Sequence, residues 1–399
     1  MDALVAHYHE IGLKGRNRHF FEEALVRNIK RALRGTRYKR VRGGFGRVVV
    51  DLEPDSPHEI AARRVADVFG VAYVGLGRRV EPDLDAIGAT ALELLSEQPF
   101  ESFQVRARRS HSNFPGRSQD IHNVVGQRIK DATGARVDLK NAEITAWVEL
   151  FGGTGIVYTT RFEGAGGLPT GVSGKMLALM SGGIDSPVAV WRMARRGADV
   201  ELVHFHGQPY TDPSSVRQAT EIAQVLTRYQ LRVVMHLVPL GDAQRDIVTH
   251  APPALRVVLY RRAMMRISAD LAREIGAQAL ITGDSLGQVA SQTIENIRTV
   301  DAAVNGVEVF RPLIGMDKQE IMDLAKRIGT YDISTRAYQD CCVLFEPRSP
   351  ATRSYPEIAT RAESELDMDA LVGKALAGRE TIELELPDPD PLLGHVPLY

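Results

Sequence analysis

Six residues after Met180 read Ser181-Gly182-Gly183-Ile184-Asp185-Ser186, and their types suit the binding of an anion. Glycines let the backbone approach a ligand closely, and the free N–H groups of a loop and a helix start point at negative charge. The hydroxyls of Ser181 and Ser186 add donors. Asp185 would repel a bare phosphate, so its presence suggests a bridging Mg2+. The apolar run Met176–Met180 before the turn reads as a strand. Pro187 after it suits the first turn of a helix, where the missing N–H has no intrahelical partner. Ligands bind at the carboxyl ends of strands in open α/β sheets. A classical P-loop does not fit: its nearest string, Pro169–Met176, lacks both the first glycine and the final Ser/Thr.

The elements that must position this turn come from the periodicity. From Lys175 short apolar runs (Met176–Met180, Val200–Phe205, Arg232–Leu237, Ala279–Thr282) alternate with helical segments near 187–196, 214–229, 254–275 and 317–328. That alternation predicts a doubly wound parallel sheet. The first 80 residues read instead as β-α-β-β-α-β, the ferredoxin-like plan. Strands are expected at Leu4–Tyr8, Tyr38–Val41, Arg47–Leu52 and Val71–Leu76, with helices at Arg18–Leu33 and Pro57–Phe69. A second α+β unit follows, with helices at Leu84–Ser96 and Ile121–Thr133 and strands at Phe103–Arg108, Ile144–Leu150 and Gly155–Thr160. The glycine-rich stretch Gly164–Gly171 reads as a linker. The fold class is thus α/β with α+β, in three domains: 1–79, 80–168 and 169–399. The tail Thr381–Tyr399, rich in proline and acid, is expected to pack loosely.

The 399 residues are 44% hydrophobic and 25% charged, which excludes a disordered chain, a collagen-like repeat and a disulfide-dense miniprotein. No run of about 18 apolar residues occurs, so a membrane span is not expected. The start of the chain lacks a basic-then-apolar signal pattern. The two cysteines, Cys341 and Cys342, are adjacent and make no disulfide framework, so a reducing cytoplasm is the expected compartment. Residues 1–175 hold 26 basic against 21 acidic side chains, and the remainder 23 against 29. Nine basic residues and no acidic one lie between Arg27 and Arg47, and Arg106, Arg108, Arg109, His111 and Arg117 form a second cluster. Arg27, Lys30, Arg31, Arg34, Arg106, Arg108, Arg109 and Lys140 are the candidates for a phosphate-binding surface.

The Ser181–Ser186 string resembles the PP-loop of the N-type ATP pyrophosphatases, which split ATP to AMP and pyrophosphate while adenylating a substrate oxygen. Longer strings narrow the group. Tyr8-His-Glu-Ile-Gly-Leu-Lys-Gly-Arg-Asn17, Asp138-Leu-Lys-Asn141, Gly166-Gly-Leu-Pro169, Thr282-Gly-Asp-Ser-Leu-Gly-Gln-Val-Ala-Ser-Gln-Thr293 and Asp340-Cys-Cys342 are together similar to the tRNA 4-thiouridine synthetases (tRNA uracil 4-sulfurtransferases). The resemblance covers about residues 4–350 and is to the form without a C-terminal rhodanese-like domain. It implies a THUMP-like RNA-binding middle domain and an ATP site made of Leu179, Met180, Ser181, Gly182, Gly183, Asp185, Ser186, His204, Phe205, Arg261, Gly283 and Gln292. Lys318 starts a helix, where a lysine opposes the macrodipole. The family carries a lysine there, read as a phosphate or transition-state partner.

The resemblance further implies ATP-dependent transfer of sulfur to a tRNA uridine, position 8 in the family. Adenylation turns the poor leaving group O4 into AMP. A persulfide then attacks C4, and such a persulfide needs a cysteine with thiolate character. Cys342 matches the family's persulfide carrier, with Cys341 as resolving thiol or bystander. A cysteine desulfurase is the implied donor, the sulfur carrier protein of thiamine formation an implied further acceptor, and a homodimer an implied assembly. Two other readings stay open at this point. One is another PP-loop tRNA enzyme, such as a lysidine synthetase or a 2-thiouridylase; the other is a non-catalytic THUMP RNA-binding protein with a vestigial nucleotide loop.

Overall fold

The computed structural model describes residues 2–110, 114–337 and 350–389, which fall into two compact units that part between Pro169 and Thr170. In the first unit, β1 (Asp2–His7), α1 (Arg18–Ala32), β2 (Tyr38–Gly44), β3 (Arg47–Leu52), α2 (His58–Asp67) and β4 (Tyr73–Val80) follow the expected β-α-β-β-α-β order. Then come α3 (Leu84–Leu95), β5 (Ser102–Ser110), α4 (Ser118–Thr133), β6 (Arg136–Val137), β7 (Ile144–Phe151) and β8 (Thr154–Glu163). The two halves do not keep separate sheets. β4 pairs antiparallel with β8 along its whole length, giving one eight-stranded sheet in the order β2-β3-β1-β4-β8-β7-β5-β6. The pairing satisfies two edges that would otherwise stay open.

Side chains alternate across this sheet. On one face Phe103, Val105, Ala146, Val148 and Leu150 pack under Ile87, Ala91, Leu95, Ile121, Val125 and Ile129 of α3 and α4. On the other, Ala3, Val5 and Val49 meet Phe151, Ile156 and Tyr158. That packing needs a gap in β4: a Cβ on Gly75 would sit 2.7 Å from the Tyr158 ring. The apolar patch seals a polar cluster around Glu149, which is 3% exposed. His7 Nε2 lies 2.7 Å from its carboxylate, Arg47 Nη1 donates at 2.7 Å and the Tyr158 hydroxyl at 2.8 Å. Burial pushes the Glu149 carboxyl up, but His7 and Arg47 more than offset it and hold it below the ordinary value of 4.5. A lowered carboxylate contributes stability above the unfolded-state value and loses it as pH falls through the folded-state one. Glu149→Gln, which leaves Arg47 buried without its carboxylate, is expected to cost about 3–5 kcal/mol at pH 7. It should also flatten the decline in urea midpoint below about pH 4.5; an unchanged acid limb contradicts the assignment.

The second unit begins with β9 (Lys175–Leu179), α5 (Asp185–Ala194), β10 (Asp199–His206), α6 (Ser214–Gln230) and β11 (Arg232–Pro239). It continues with α7 (Gly241–His250), α8 (Arg256–Ile275), β12 (Ala279–Ile281), α9 (Ile294–Asp301), β13 (Glu308–Phe310) and α10 (Lys318–Ile328). Four short elements follow: α11 (Tyr331–Ser334), α12 (Pro356–Glu363), α13 (Met368–Ala377) and β14 (Glu380–Glu385). The sheet order is β13-β12-β9-β10-β11-β14. Five strands run parallel, as the alternation predicts. The chain winds from β9 through β10 to β11 on one side, then returns to place β12 and β13 on the other. The switch point therefore lies between β9 and β12, and the crevice beyond their carboxyl ends is the place for a ligand.

The start of the tail departs from expectation. Instead of packing loosely, Glu380–Glu385 pairs antiparallel with β11. Its sequence, Glu-Thr-Ile-Glu-Leu-Glu, has period two: Ile382 and Leu384 are half-buried, and the glutamates are exposed. Arg232 reaches across to Glu383, and charge on an edge strand guards against further pairing. Among the described residues no helix is long and apolar enough to cross a membrane.

Candidate active site

The Ser181–Ser186 turn leaves β9 and enters α5 with Asp185 and Ser186 in the helix's first turn. It is held from inside and from behind. The Ser186 hydroxyl accepts from the Ser181 N–H at 3.0 Å, Gly183 N donates to the Ser181 hydroxyl at 3.2 Å, and Gln218 Nε2 donates to the Gly182 carbonyl at 2.9 Å. Gly283, in the loop just past β12, backs directly onto this turn: a Cβ there would lie 2.9 Å from the Ser186 nitrogen. Its smallness serves the approach of two backbones at the switch point.

Beside the turn is a cavity of about 520 Å3. Of the residues predicted to hold ATP, Leu179, Ser181, Asp185, Ser186, Arg261, Gly283 and Gln292 line it. Met180, Gly182, Gly183, His204 and Phe205 lie outside that lining. Gly182 and Gly183 form the turn itself. Met180 and His204 are 3% exposed, and the His204 ring, 2.9 Å from the Met180 carbonyl through Nδ1, supports the strand end from behind. Phe205 packs in the core with Val203, Val238 and Leu240.

Lys318 is the first residue of α10, after an Asp317 cap that forms a capping box with Glu320. These two carboxylates offset the unfavourable lysine. Lys318 Nζ donates to Asp185 Oδ1 at 2.5 Å, and Gln288 Nε2 donates to Oδ2 at 2.9 Å. The acid and the base singled out by sequence thus meet across 133 residues. Arg261, on α8, donates to the Ser291 carbonyl at 2.8 Å and to Asp284 at 2.6 Å. Burial pushes the Asp284 carboxyl up; Arg261, Thr282 and Arg311 outweigh it and bring it below its ordinary value.

Sequence reasoning missed the apolar wall of Val257, Val258, Met264 and Met265. These flank Arg261 at i−4, i−3, i+3 and i+4, so the helical repeat was the signal available. It also missed Asp284, Gln288 and Arg311, whose roles depend on pairings made only in the folded chain. Cys341 and Cys342 lie outside the described residues, as does His111. The described chain resumes at Pro350, which with Ala351 lines the cavity.

In the first unit Arg27, Lys30, Arg31 and Arg34 are exposed along and just after α1, and Arg106, Arg108 and Lys140 are exposed elsewhere in the unit. By strand alternation Arg106 and Arg108 share the face of Trp147 and Glu149. Arg106 lies 5.5 Å from the Trp147 ring, and Arg161 stacks on Tyr73 at 3.8 Å and on Trp147 at 4.6 Å. Arg109 is turned inward: it donates to the carbonyls of Phe114, at 2.6 Å, and Gly116.

A glycine-rich turn at the switch point of a parallel sheet, with an aspartate in the next helix's first turn, defines a PP-loop α/β unit; here it follows an α+β unit with an arginine-rich surface. Family models agree: the ThiI ferredoxin-like domain matches residues 3–75, the THUMP domain 81–160 and the Thiamine biosynthesis protein (ThiI) family 171–368. A probable tRNA sulfurtransferase of Thermus thermophilus is 44% identical over 96% of this chain and 94% of its own length. One of Brevibacillus brevis is 39% identical over 96% of each. A solved 4-thiouridine synthetase–RNA complex with bound ATP superposes with a TM-score of 0.88 at 35% identity, covering 96% of this chain and 100% of that one. The chain belongs to the tRNA sulfurtransferase family.

Proposed function

We propose that the chain uses ATP to convert a tRNA uridine, at position 8, to 4-thiouridine, releasing AMP and pyrophosphate. The observation that carries this reading is the joining of the Ser181–Ser186 turn, Asp185 and Arg261 around one cavity at the switch point, with Lys318 paired to Asp185. The turn and Arg261 bind the triphosphate, and the apolar wall of α8 suits the adenosine. Lys318 neutralises charge that develops on the phosphates as uridine O4 attacks the α-phosphorus and pyrophosphate leaves. Asp185 is a single carboxylate beside a phosphate site, a donor set that fits Mg2+, which takes one or two carboxylates and completes its shell with phosphate and water. When bound, the ion supplies charge neutralisation.

The terminal sulfur of a Cys342 persulfide then attacks C4, and AMP leaves. A second thiol, from Cys341 or from outside, attacks the Cys342 sulfur. The S–S bond breaks, its electron pair leaves on the 4-thiouridine sulfur, and Cys342 remains in a disulfide with Cys341 or, mixed, with the outside thiol. A cysteine desulfurase is the source of the persulfide, and the sulfur carrier protein of thiamine formation is a second acceptor by the same chemistry. The cell compartment is the cytoplasm, where tRNA and a reducing thiol pool meet.

Pyrophosphate release tests the first half. It is expected to depend on tRNA and to fall when Asp185 is replaced by Ala; release that ignores tRNA contradicts the reading. RNA is engaged by the exposed arginines and lysines of the first unit, which read its backbone and shape. Affinity for tRNA should therefore fall steeply with salt. Replacing Arg27, Lys30, Arg31 and Arg34 together by Ala should reduce the log–log slope by roughly 0.7–0.9 for each phosphate that α1 no longer neutralises. An unchanged slope in a binding titration removes α1 from the RNA surface.

A further inference from the structure

The loop after β12 carries a buried carboxylate that no step above uses. Asp284 is 4% exposed, and four donors converge on it: Arg261 Nη2 at 2.6 Å, Thr282 Oγ1 at 2.8 Å, Arg311 Nε at 3.3 Å and Gln292 Nε2 at 3.4 Å. Arg311 in turn pairs with Asp301 at 2.5 Å, at the end of α9. Charge thus alternates from the part-exposed Asp301 to the cavity wall, through Arg311, the buried Asp284 and Arg261. Three of these donors, Arg261, Thr282 and Gln292, line the cavity, and so does Asp284 itself.

An arginine side chain has many rotamers, and fixing one costs entropy that a preorganised site meets on folding rather than on binding. The Arg261 guanidinium is planar with five N–H donors. One hydrogen bond to the Ser291 carbonyl leaves it free to pivot; the second, to Asp284, fixes its plane. The remaining donors are then available to the cavity. The two arginines would also repel each other without the carboxylate between them.

We propose that Asp284 is a positioning residue for the nucleotide, acting through Arg261 by locking its guanidinium plane against the cavity. This rests on the ATP reading of the cavity given above.

The test is a double-mutant cycle on tRNA-dependent pyrophosphate release with Asp284→Asn, Arg261→Ala and the pair, reading KM for ATP and kcat separately. Each single change is expected to raise KM for ATP by about tenfold, with a smaller change in kcat. Because one residue acts through the other, the double variant should be no worse than Arg261→Ala alone. Effects on KM that multiply in the double variant, or a wild-type KM in Asp284→Asn, overturn the proposal. A merely structural carboxylate would lower the active fraction and leave KM in place. Arg261→Ala with a wild-type KM instead overturns the ATP reading of this wall, and the proposal with it. Should Asp284→Asn fail to fold, Thr282→Val removes one donor to the same carboxylate and enters the same cycle; a smaller KM increase that vanishes in the Arg261→Ala background supports the proposal, and one that persists there overturns it.

Discussion

Replacing Cys342 with serine is expected to lower 4-thiouridine formation by on the order of 10^3-fold while leaving the first turnover of tRNA-dependent pyrophosphate release intact. The two halves of the reaction use different atoms. Adenylation needs the turn at Ser181–Ser186, Asp185, Lys318 and the uridine oxygen; sulfur transfer needs a persulfide. A serine hydroxyl cannot carry transferable sulfur, and at neutral pH it is a far weaker nucleophile than a thiolate. The variant should stall with adenylated tRNA, and a burst of pyrophosphate equal to the enzyme–tRNA complex, measured by quenched flow, is the expected signature. Loss of both activities together would mean that Cys342 serves the nucleotide site instead. Cys341→Ser should be milder, because an external thiol can attack the Cys342 sulfur in its place.

Lys318→Ala carries the second large effect. Its ammonium lies 2.5 Å from Asp185, next to the turn where the triphosphate binds. A cation placed where phosphate charge develops is needed more in the transition state than in the ground state. Its removal is expected to lower kcat for pyrophosphate release by about 10^2- to 10^3-fold, with KM for ATP changing much less. Asp185→Asn should fall in the same range, because a neutral amide no longer orients the Lys318 ammonium and no longer offers the charge that would hold Mg2+ beside the phosphates. A Lys318→Ala enzyme with wild-type kcat would leave the lysine as a structural partner of Asp185.

Much of this site was legible before folding, and for identifiable reasons. The turn, its preceding strand and its following helix are local in sequence, and local patterns carry strand–turn–helix geometry directly. Arg261 and Lys318 came from the family resemblance; Arg261 lines the cavity and Lys318 pairs with Asp185. What could not be read depends on long-range pairing. The Asp284–Arg311 pair spans 27 residues, and nothing in Thr282–Thr293 marks which donors will meet its carboxylate. The parity of β10 decided His204 and Phe205: adjacent residues on a strand face opposite ways, so one supports the Met180 carbonyl and the other joins the core. Neither lines the cavity. The shared eight-stranded sheet was missed because β4 and β8 read equally well as edges of separate sheets until their registers are known. The Glu380–Glu385 strand was hidden by the proline-rich composition around it, although its own alternation was the visible signal.

The measurement that bears most directly on the whole account is the fate of the uridine oxygen. A tRNA carrying 18O at C4 of the target uridine, incubated with MgATP, a persulfide donor and the enzyme, should yield 4-thiouridine and AMP in equal amounts, with the label in the AMP phosphate. Thiolated tRNA accompanied by unlabelled AMP, or label in pyrophosphate or water, would contradict attack of O4 on the α-phosphorus held at Ser181–Ser186.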